Sequence, residues 1–129
     1  AKVLVVEDNL DNQKILVRML ERYGCRVDVA DNGCEAVHAA GQIAYDCLFM
    51  DCQMPDIDGY TATAMIRQRE IQIGQHVPII ALTASAMPGD RERCLAAGMD
   101  DYLSKPAKAQ ELVTMLRKWT SFPAHALVH

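Results

Sequence analysis

Short apolar runs alternate with longer stretches of helical periodicity, and this alternation restricts the fold more than any other feature of the sequence. The runs predict five strands, at about residues 3–6, 26–30, 45–50, 79–82 and 102–104. Residues whose apolar positions recur at helical spacing come after each run. Five β/α units of this kind imply a parallel sheet with helices on both faces and right-handed crossovers. A closed barrel of eight units would need about 250 residues, and the 129 residues present exclude it.

The helical pattern ends near Trp119, and Pro123 interrupts the chain shortly afterwards. We therefore predict one domain over residues 1–119 and a C-terminal tail or linker over residues 120–129. A domain of this size buries a core without disulfides or a structural metal. The five cysteines are scattered and form no CxxC pair, which predicts reduced, mostly buried thiols in a cytosolic protein.

The charge balance bears on the class of partner. A net charge of -4 and a pI near 5.5 argue against nucleic-acid binding, which needs a basic patch. The apolar runs are far too short to cross a bilayer, and no secretory signal is present. We expect a cytoplasmic location without direct membrane contact, and a monomer as an isolated domain. The first residue, Ala1, suggests a processed start or a fragment of a larger protein.

Chemically active side chains stand where the predicted strands end. Glu7 and Asp8 come after the first strand, Asp51 after the third, Thr83 after the fourth and Lys105 after the fifth. In an open parallel sheet these ends share one edge, where such folds place their ligand sites. The sequence therefore predicts that five residues from four distant segments converge.

Three carboxylates in one place require positive charge. Each pair costs about 4 kcal/mol at about 4 Å with an effective dielectric near 20. Lys105 offsets one negative charge, and a divalent cation would offset the other two. Oxygen ligands without histidine or thiolate favour Mg²⁺, with Mn²⁺ as a substitute. A carboxylate beside Mg²⁺, a lysine and a hydroxyl is suited to accepting a phosphoryl group on Asp51.

These residues lie in segments that resemble the receiver domain of two-component response regulators. The segments are VVEDN at 5–9, MDCQMPDIDG at 50–59, ALTA at 81–84 and KP at 105–106. The resemblance covers residues 2–119. The motifs EDN at 7–9, NQ at 12–13 and DCQMP at 51–55 resemble receivers fused to hybrid sensor histidine kinases more than stand-alone regulators. It implies a flavodoxin-like sheet in the order 2-1-3-4-5.

The resemblance also implies roles for the site residues. Asp51 would be the phosphoacceptor, and Thr83 and Lys105 would contact the phosphoryl group. Asp8 and Asp51 would bind Mg²⁺ directly, Glu7 mainly through water, and the backbone carbonyl of Gln53 would be a further ligand. The implied partners are the phosphohistidine domain of a kinase and a histidine phosphotransfer domain. Phosphate would be relayed between them or lost to water by autodephosphorylation.

Further positions take a role from the family or from the helical pattern. Tyr102 matches the aromatic residue that swings inward when Thr83 moves toward the phosphoryl group. Gln53 and Ser85 occupy the two variable positions that tune hydrolysis. The family has a cis bond at the position of Lys105-Pro106. Ile15 lies off the apolar stripe of the first helix and is therefore a candidate for an exposed apolar contact with a docking partner. Pro106, next to Lys105, is a second candidate for partner docking.

Other functions stay open at this point. The domain could be a stand-alone response regulator, or a docking-only pseudo-receiver. An aspartate-nucleophile phosphatase of the haloacid dehalogenase kind would need an acidic residue two positions after Asp51, where Gln53 stands. A flavodoxin-like cofactor binder would need a phosphate-binding loop after the first strand, where Glu7 and Asp8 would repel phosphate in the absence of a metal ion.

Overall fold

Five strands form one parallel sheet. A computed structural model describes residues 1–54, 57–84 and 88–120. The strands are β1 (Lys2–Val6), β2 (Arg26–Ala30), β3 (Cys47–Asp51), β4 (Ile79–Thr83) and β5 (Asp101–Ser104). All pairings are parallel, in the order β2-β1-β3-β4-β5. The predicted flavodoxin-like topology is confirmed.

Helices cover both faces of this sheet. They are α1 (Leu10–Arg22), α2 (Gly33–Gln42), α3 (Gly59–Ile73), α4 (Pro88–Ala97) and α5 (Ala109–Trp119). One buried cluster packs α1 and α5 against the sheet, through Leu16, Leu20, Leu112 and Leu116 among others. A second cluster on the opposite face includes Ala62 and Ile66 of α3 and Cys94 of α4. The sheet is thus the middle of three layers, as the alternating pattern requires.

Burial explains why the central strands read as continuous apolar runs. Every residue of β3 and β4 is buried, because helices cover both of their faces. The edge strand β2 is largely exposed, which agrees with its alternation of polar and apolar residues. At the centre, the fully buried Phe49 contributes roughly 1.5–3 kcal/mol of hydrophobic stabilisation.

The structure differs from the sequence prediction in two details of the third β/α unit. The strand predicted over about residues 45–50 spans Cys47–Asp51, and the helix after it, α3, begins at Gly59, where the Asp58 side chain accepts the Thr61 N–H at 2.8 Å. The apolar pattern of α3 predicts that Met65 and Ile66 both point inward, but Met65 is 46% exposed and Ile66 is 5% exposed. Successive helical residues point about 100° apart, so only one of the two can face the sheet.

The cysteines are free thiols, and four of the five are buried as expected; Cys34 is exposed. No helix in the described part of the chain combines the length and apolarity needed to cross a membrane. The predicted tail lies outside the described residues, apart from Thr120.

Candidate functional site

Three carboxyl groups meet at the carboxyl edge of the sheet. Oxygen atoms of Glu7, Asp8 and Asp51 all lie within 4.8 Å of one another. Strands β1 and β3 are neighbours, with Val6 opposite Met50, so the residues after each pairing arrive at the same place. Glu7 and Asp51 are 1% and 3% exposed, whereas Asp8 is exposed. The cluster therefore has a buried floor and an open, solvent-facing side.

Lys105 is the cation of this site. Its Nζ lies 2.8 Å from Asp51 Oδ2 and 3.3 Å from Glu7 Oε1. The Lys105 N–H donates to the Thr83 carbonyl at 2.7 Å, and the Lys105-Pro106 bond is cis, as the resemblance implies. Burial lowers the pKa of Lys105, but Asp51 and Glu7 outweigh it, so the pKa lies above its usual value. The amine stays charged.

Glu7 is a carboxyl group of the cluster that is costly to ionise. Burial, followed by the neighbouring Asp51, raises the pKa of Glu7 to about 7, although the Asn12 hydrogen bond and Lys105 oppose the shift. The Asn12 amide donates to Glu7 Oε1 at 2.9 Å. The other oxygen, Oε2, is buried and accepts no hydrogen bond from the described part of the chain. A buried carboxylate oxygen normally has a donor or a cation beside it, because burying a polar atom without a partner is costly.

These features fit a divalent cation. Lys105 neutralises only one of three acidic groups, and a cation would compensate the buried Glu7 Oε2, to which no described residue donates a hydrogen bond. Carboxylate oxygens without histidine or thiolate are the donors that Mg²⁺ prefers. The Gln53 N–H donates to Asp51 Oδ1 at 3.0 Å, so its peptide borders the same carboxylate.

A glycine lets α3 begin directly beside the central aspartate. A Cβ added to Gly59 would lie 2.3 Å from the Asp51 carbonyl oxygen and 2.9 Å from the Cys52 Cα. The Gly59 N–H donates to the Cys52 carbonyl at 3.1 Å. Any side chain at this position would push the segment that carries Asp51 out of place.

The structure places the remaining predicted residues around the cluster. Thr83 is 5% exposed at the end of β4, opposite Ser104, and Tyr102 is half-buried one strand away. Ile15 is 51% exposed. Together with Glu7, Lys105 and Pro106, Ile15 lines a surface groove of about 420 Å³. Ser85 lies outside the described residues.

Sequence reasoning gave no role to two side chains that hold the site. Besides Asn12, the buried Gln13 donates from Nε2 to the Glu7 carbonyl and, at 2.7 Å, to Asp31 Oδ1. Gln13 thus fixes the backbone that presents Glu7. The signal was the polar pair at 12–13 in the first turns of α1, whose partners only the fold reveals.

Comparison with known proteins assigns the family. The family model described as "Response regulator receiver domain" matches residues 3–117. The chain belongs to this family. The receiver is 43% identical over 127 residues to "Hybrid signal transduction histidine kinase B" of Dictyostelium discoideum. It is 42% identical over 117 residues to "Signal transduction histidine-protein kinase BarA" of Escherichia coli K12. The predicted resemblance to receivers of hybrid kinases is confirmed.

These relatives are much longer proteins. The match covers 91% of this receiver but 6% of kinase B and 12% of BarA. The activity of such a large kinase therefore does not transfer to this domain by similarity alone.

Solved receivers have the same fold. The receiver of sensor histidine kinase PA1611 of Pseudomonas aeruginosa PAO1 is 50% identical, with a TM-score of 0.83 and coverage of 92% of this chain and 95% of that one. Its crystal structure has a magnesium ion coordinated in the active-site cleft. A second similar structure is a co-crystal of the Saccharomyces cerevisiae histidine phosphotransfer protein Ypd1 with the receiver of Ssk1. Here the identity is 36% and the TM-score 0.88, over 98% of this chain and 92% of that chain.

Proposed function

We propose that this receiver accepts a phosphoryl group on Asp51 and serves as one step of a phosphorelay within a hybrid histidine kinase. The observation that carries the proposal is the setting of the Asp51 carboxylate. It is 3% exposed, ion-paired with Lys105 at 2.8 Å, and lies beside Glu7 and Asp8. A purely structural core would not gather three acidic groups at one edge, because their repulsion destabilises the fold.

The residues divide the chemistry between them. Asp51 Oδ attacks phosphorus as the bond from phosphorus to the phosphohistidine nitrogen breaks, and the imidazole keeps the electron pair. The Lys105 amine lies 2.8 Å from Asp51 and would pair with the negatively charged phosphoryl oxygens once the group is bound to Asp51. The Thr83 hydroxyl would donate a hydrogen bond to one of these oxygens. Glu7, Asp8, Asp51 and the Gln53 carbonyl would hold Mg²⁺, which when bound neutralises negative charge on the transferring group.

A conformational readout would arise from the same geometry. Thr83 is the last residue of β4 and Tyr102 lies on the neighbouring β5, packed against the core cluster of α3 and α4. Movement of Thr83 toward a phosphoryl oxygen would vacate space that the half-buried Tyr102 ring would fill. This pairing supports a two-state switch.

The partners would be helical proteins that carry a phosphorylatable histidine. A similar receiver, that of Ssk1, was crystallised in complex with the histidine phosphotransfer protein Ypd1. This complex supports a histidine phosphotransfer protein as the acceptor or donor of the phosphoryl group. The relatives that are hybrid kinases support a kinase domain as the source. A phosphatase of the haloacid dehalogenase kind is disfavoured, because Gln53 supplies no second acid.

A small-molecule donor tests the proposal directly. The receiver is incubated with acetyl phosphate with and without Mg²⁺, and the intact mass is recorded. We expect a gain of one phosphoryl group that needs Mg²⁺ and is removed by hydroxylamine, as for an acyl phosphate. The absence of any gain with acetyl phosphate, phosphoramidate or a phosphorylated histidine protein would reject the proposal and favour a docking-only receiver.

Mg²⁺ binding should strengthen with pH. The metal needs ionised carboxylates, and the pKa of Glu7 is raised to about 7 in the metal-free chain. Glu7 is mostly protonated at about pH 6 and mostly ionised at about pH 8, so the apparent Kd should fall roughly tenfold between them. Calorimetric titration with Mg²⁺ at both pH values measures this. Asp8→Asn should weaken binding, while Glu21→Gln at the far end of α1 should not; equal Kd values at both pH values would contradict the assignment of Glu7.

Ile15→Glu should slow phosphoryl transfer from a phosphohistidine protein but not phosphorylation by a small-molecule donor. A glutamate at this 51%-exposed position places a charge in the groove beside the site. Loss of one central apolar contact costs about 1–2 kcal/mol, roughly tenfold in transfer from a phosphohistidine protein. Acetyl phosphate needs no docking and should react as with the wild type. The matched control is Ile71→Glu on α3, at an apolar position that is 82% exposed; equal loss in both variants would exclude Ile15 as a docking residue.

A further inference from the structure

A surface cavity of about 580 Å³ lies at the edge of the sheet opposite the acidic site, beside the residues that lead into β3 and β4. We call this cavity the basal groove. Ile73, at the end of α3, is 58% exposed in it, although an isoleucine side chain is stabilised by leaving water. A partner that covered this apolar surface would therefore gain free energy. The groove is formed by four segments of the chain, through residues that include Ile43, Ile66, Ile73, Pro78, Trp119 and Thr120.

The charged side chains of the basal groove are already engaged by other parts of the chain. The Glu70 carboxylate ion-pairs with Arg67 at 2.6 Å and accepts the Val77 N–H at 2.7 Å. The other contacts are those of Asp46 with the Lys2 N–H, Arg69 with the Val37 carbonyl and His76 with Asp100. A charged occupant would compete with these contacts or lose its water without gaining a counter-ion, and both are costly. The groove therefore favours an uncharged, apolar occupant.

The chain leaves α5 at the basal groove. Trp119 and Thr120 both line it, and the Trp119 ring is held by a hydrogen bond from its Nε1 to Asp101 Oδ2 at 3.1 Å. Thr120 has extended backbone angles, with φ at -131° and ψ at 178°, so the helix has ended there. Phe122 follows two residues later, and its Cα cannot be more than about 7 Å from that of Thr120. The aromatic side chain of Phe122 is thus within reach of the groove.

The segment after Thr120, SFPAHALVH at residues 121–129, has the composition of a segment that gains by packing. It includes no Asp, Glu, Lys or Arg, whereas 23% of the whole chain is charged. Solvated linkers are usually rich in charge and poor in large apolar residues. The proline at position 123 favours extended backbone at the residue before it. In an extended segment alternate residues share one face, and one such face would be entirely apolar, with Phe122, Ala124, Ala126 and Val128.

We infer that residues 121–129 bind back into the basal groove of the same chain, with Phe122 packed against Trp119 and Ile73. This contact would hold the chain that follows α5 at the edge of the sheet where the strands begin. The acidic cluster lies at the other edge, so the phosphoacceptor would stay open to a partner. The inference goes beyond the proposed function and does not depend on it, because the contact needs no phosphoryl group.

A second copy of the chain is the main alternative occupant of the basal groove. Covalent attachment favours the chain's own segment, because a short tether gives an effective concentration in the millimolar range. A second copy would compete only at comparable protein concentrations. Nine residues extend over as much as about 30 Å, so the segment is long enough to cover the groove.

Proton–proton nuclear Overhauser effects (NOEs) in the full 129-residue chain test the contact. The isoleucine methyl groups and the phenylalanine rings are labelled, and NOEs from the Phe122 ring to Ile43 and Ile73 are recorded. The signals of the other phenylalanine, the buried Phe49, are identified because they persist in Phe122→Asp. A mixture of labelled and unlabelled chains separates contacts within one chain from contacts between two copies.

Two matched pairs of variants measure the effect on thermal unfolding. Phe122→Asp is compared with His125→Asp, which lies on the other face of an extended segment. Ile73→Asp is compared with Ile71→Asp, a change at an 82% exposed position on a different side of α3. Trp119 is the only tryptophan of the chain, so its fluorescence emission reports whether the groove is covered.

We expect NOEs between Phe122 and Ile73 within one chain. Phe122→Asp should lower Tm by about 4–8 °C and shift the Trp119 emission to longer wavelength, while His125→Asp should change Tm by less than about 2 °C. Ile73→Asp should lower Tm more than Ile71→Asp, and Phe122→Asp should add little to it, because the two changes remove one contact. Absence of the Phe122 NOEs, NOEs found only between copies, or equal losses in Phe122→Asp and His125→Asp would each overturn the inference.

Discussion

Replacing Asp51 by asparagine should abolish phosphoryl uptake while leaving the fold intact. The amide keeps the size of the carboxylate and still accepts the Gln53 N–H, now 3.0 Å away. It lacks the anionic oxygen that attacks phosphorus, so neither acetyl phosphate nor a phosphohistidine protein should add a phosphoryl group. Intact mass under conditions that saturate the wild type measures this. Persistent stoichiometric uptake in Asp51→Asn would assign the chemistry to another residue.

Asp58→Asn is the matched control for this change. Asp58 is a nearby aspartate whose Oδ1 caps α3, and asparagine caps a helix about as well. Uptake should therefore stay close to wild type. Asp51→Asn also has a second readout, because burial and then Asp51 are what raise the pKa of Glu7. Removing the Asp51 charge should shift that pKa downward, which carboxyl-carbon NMR titration follows; an unchanged pKa would show that Glu7 does not sense Asp51.

The gathering of the site was predictable because it depends on topology. Once Asp51 and Lys105 are recognised as lying at the ends of strands in a parallel sheet, the sheet itself carries both to one edge. Local signals were enough for this step: apolar runs mark strands, and the polar residue after each run marks its end. No side-chain contact had to be known in advance.

Side-chain partners were not predictable in the same way. Met65 and Ile66 both looked like inward residues, and only packing of α3 decides between adjacent positions. Sequence analysis assigned Gln13 no contact, yet it is buried and donates to the Glu7 carbonyl and to Asp31. Such partners depend on the relative placement of elements distant in sequence, which periodicity does not encode.

Arg67 is the largest feature that the sequence did not reveal. Its guanidinium joins α3 to the segments that lead into β4 and β5. These contacts lie where the strands begin, at the edge of the sheet opposite the acidic site. Its Nε donates to the Gly98 carbonyl at 2.8 Å and Nη1 to the Val77 carbonyl at 2.7 Å. It also pairs with Glu70 at 2.6 Å and with Asp100 at 2.7 Å. All three charged side chains are at most 14% exposed.

Arg67→Met should therefore lower the free energy of unfolding by about 3–5 kcal/mol, the usual result when one partner of a buried ion pair is removed. Both carboxylates would lose the buried guanidinium. Glu70 would retain the Val77 N–H, and Asp100 the Ile79 N–H and the largely exposed His76 ring at 2.7 Å. Since domains have about 5–15 kcal/mol of stability in total, this one change would leave a marginal fold. Guanidinium unfolding followed by circular dichroism measures it.

Two variants separate this network from a general effect of arginine on α3. Arg69 makes a weaker contact, from Nη1 to the Val37 carbonyl at 3.2 Å, and is exposed. Arg69→Met should therefore change stability by less than about 1 kcal/mol. Arg67→Lys keeps the charge, but its donors sit on one nitrogen and cannot reach all four acceptors that Nε, Nη1 and Nη2 of the guanidinium bond, so it should restore only part of the loss. A loss in Arg67→Met no greater than in Arg69→Met would mean that the carboxylates of Glu70 and Asp100 are stabilised without the guanidinium, either by water or by protonation.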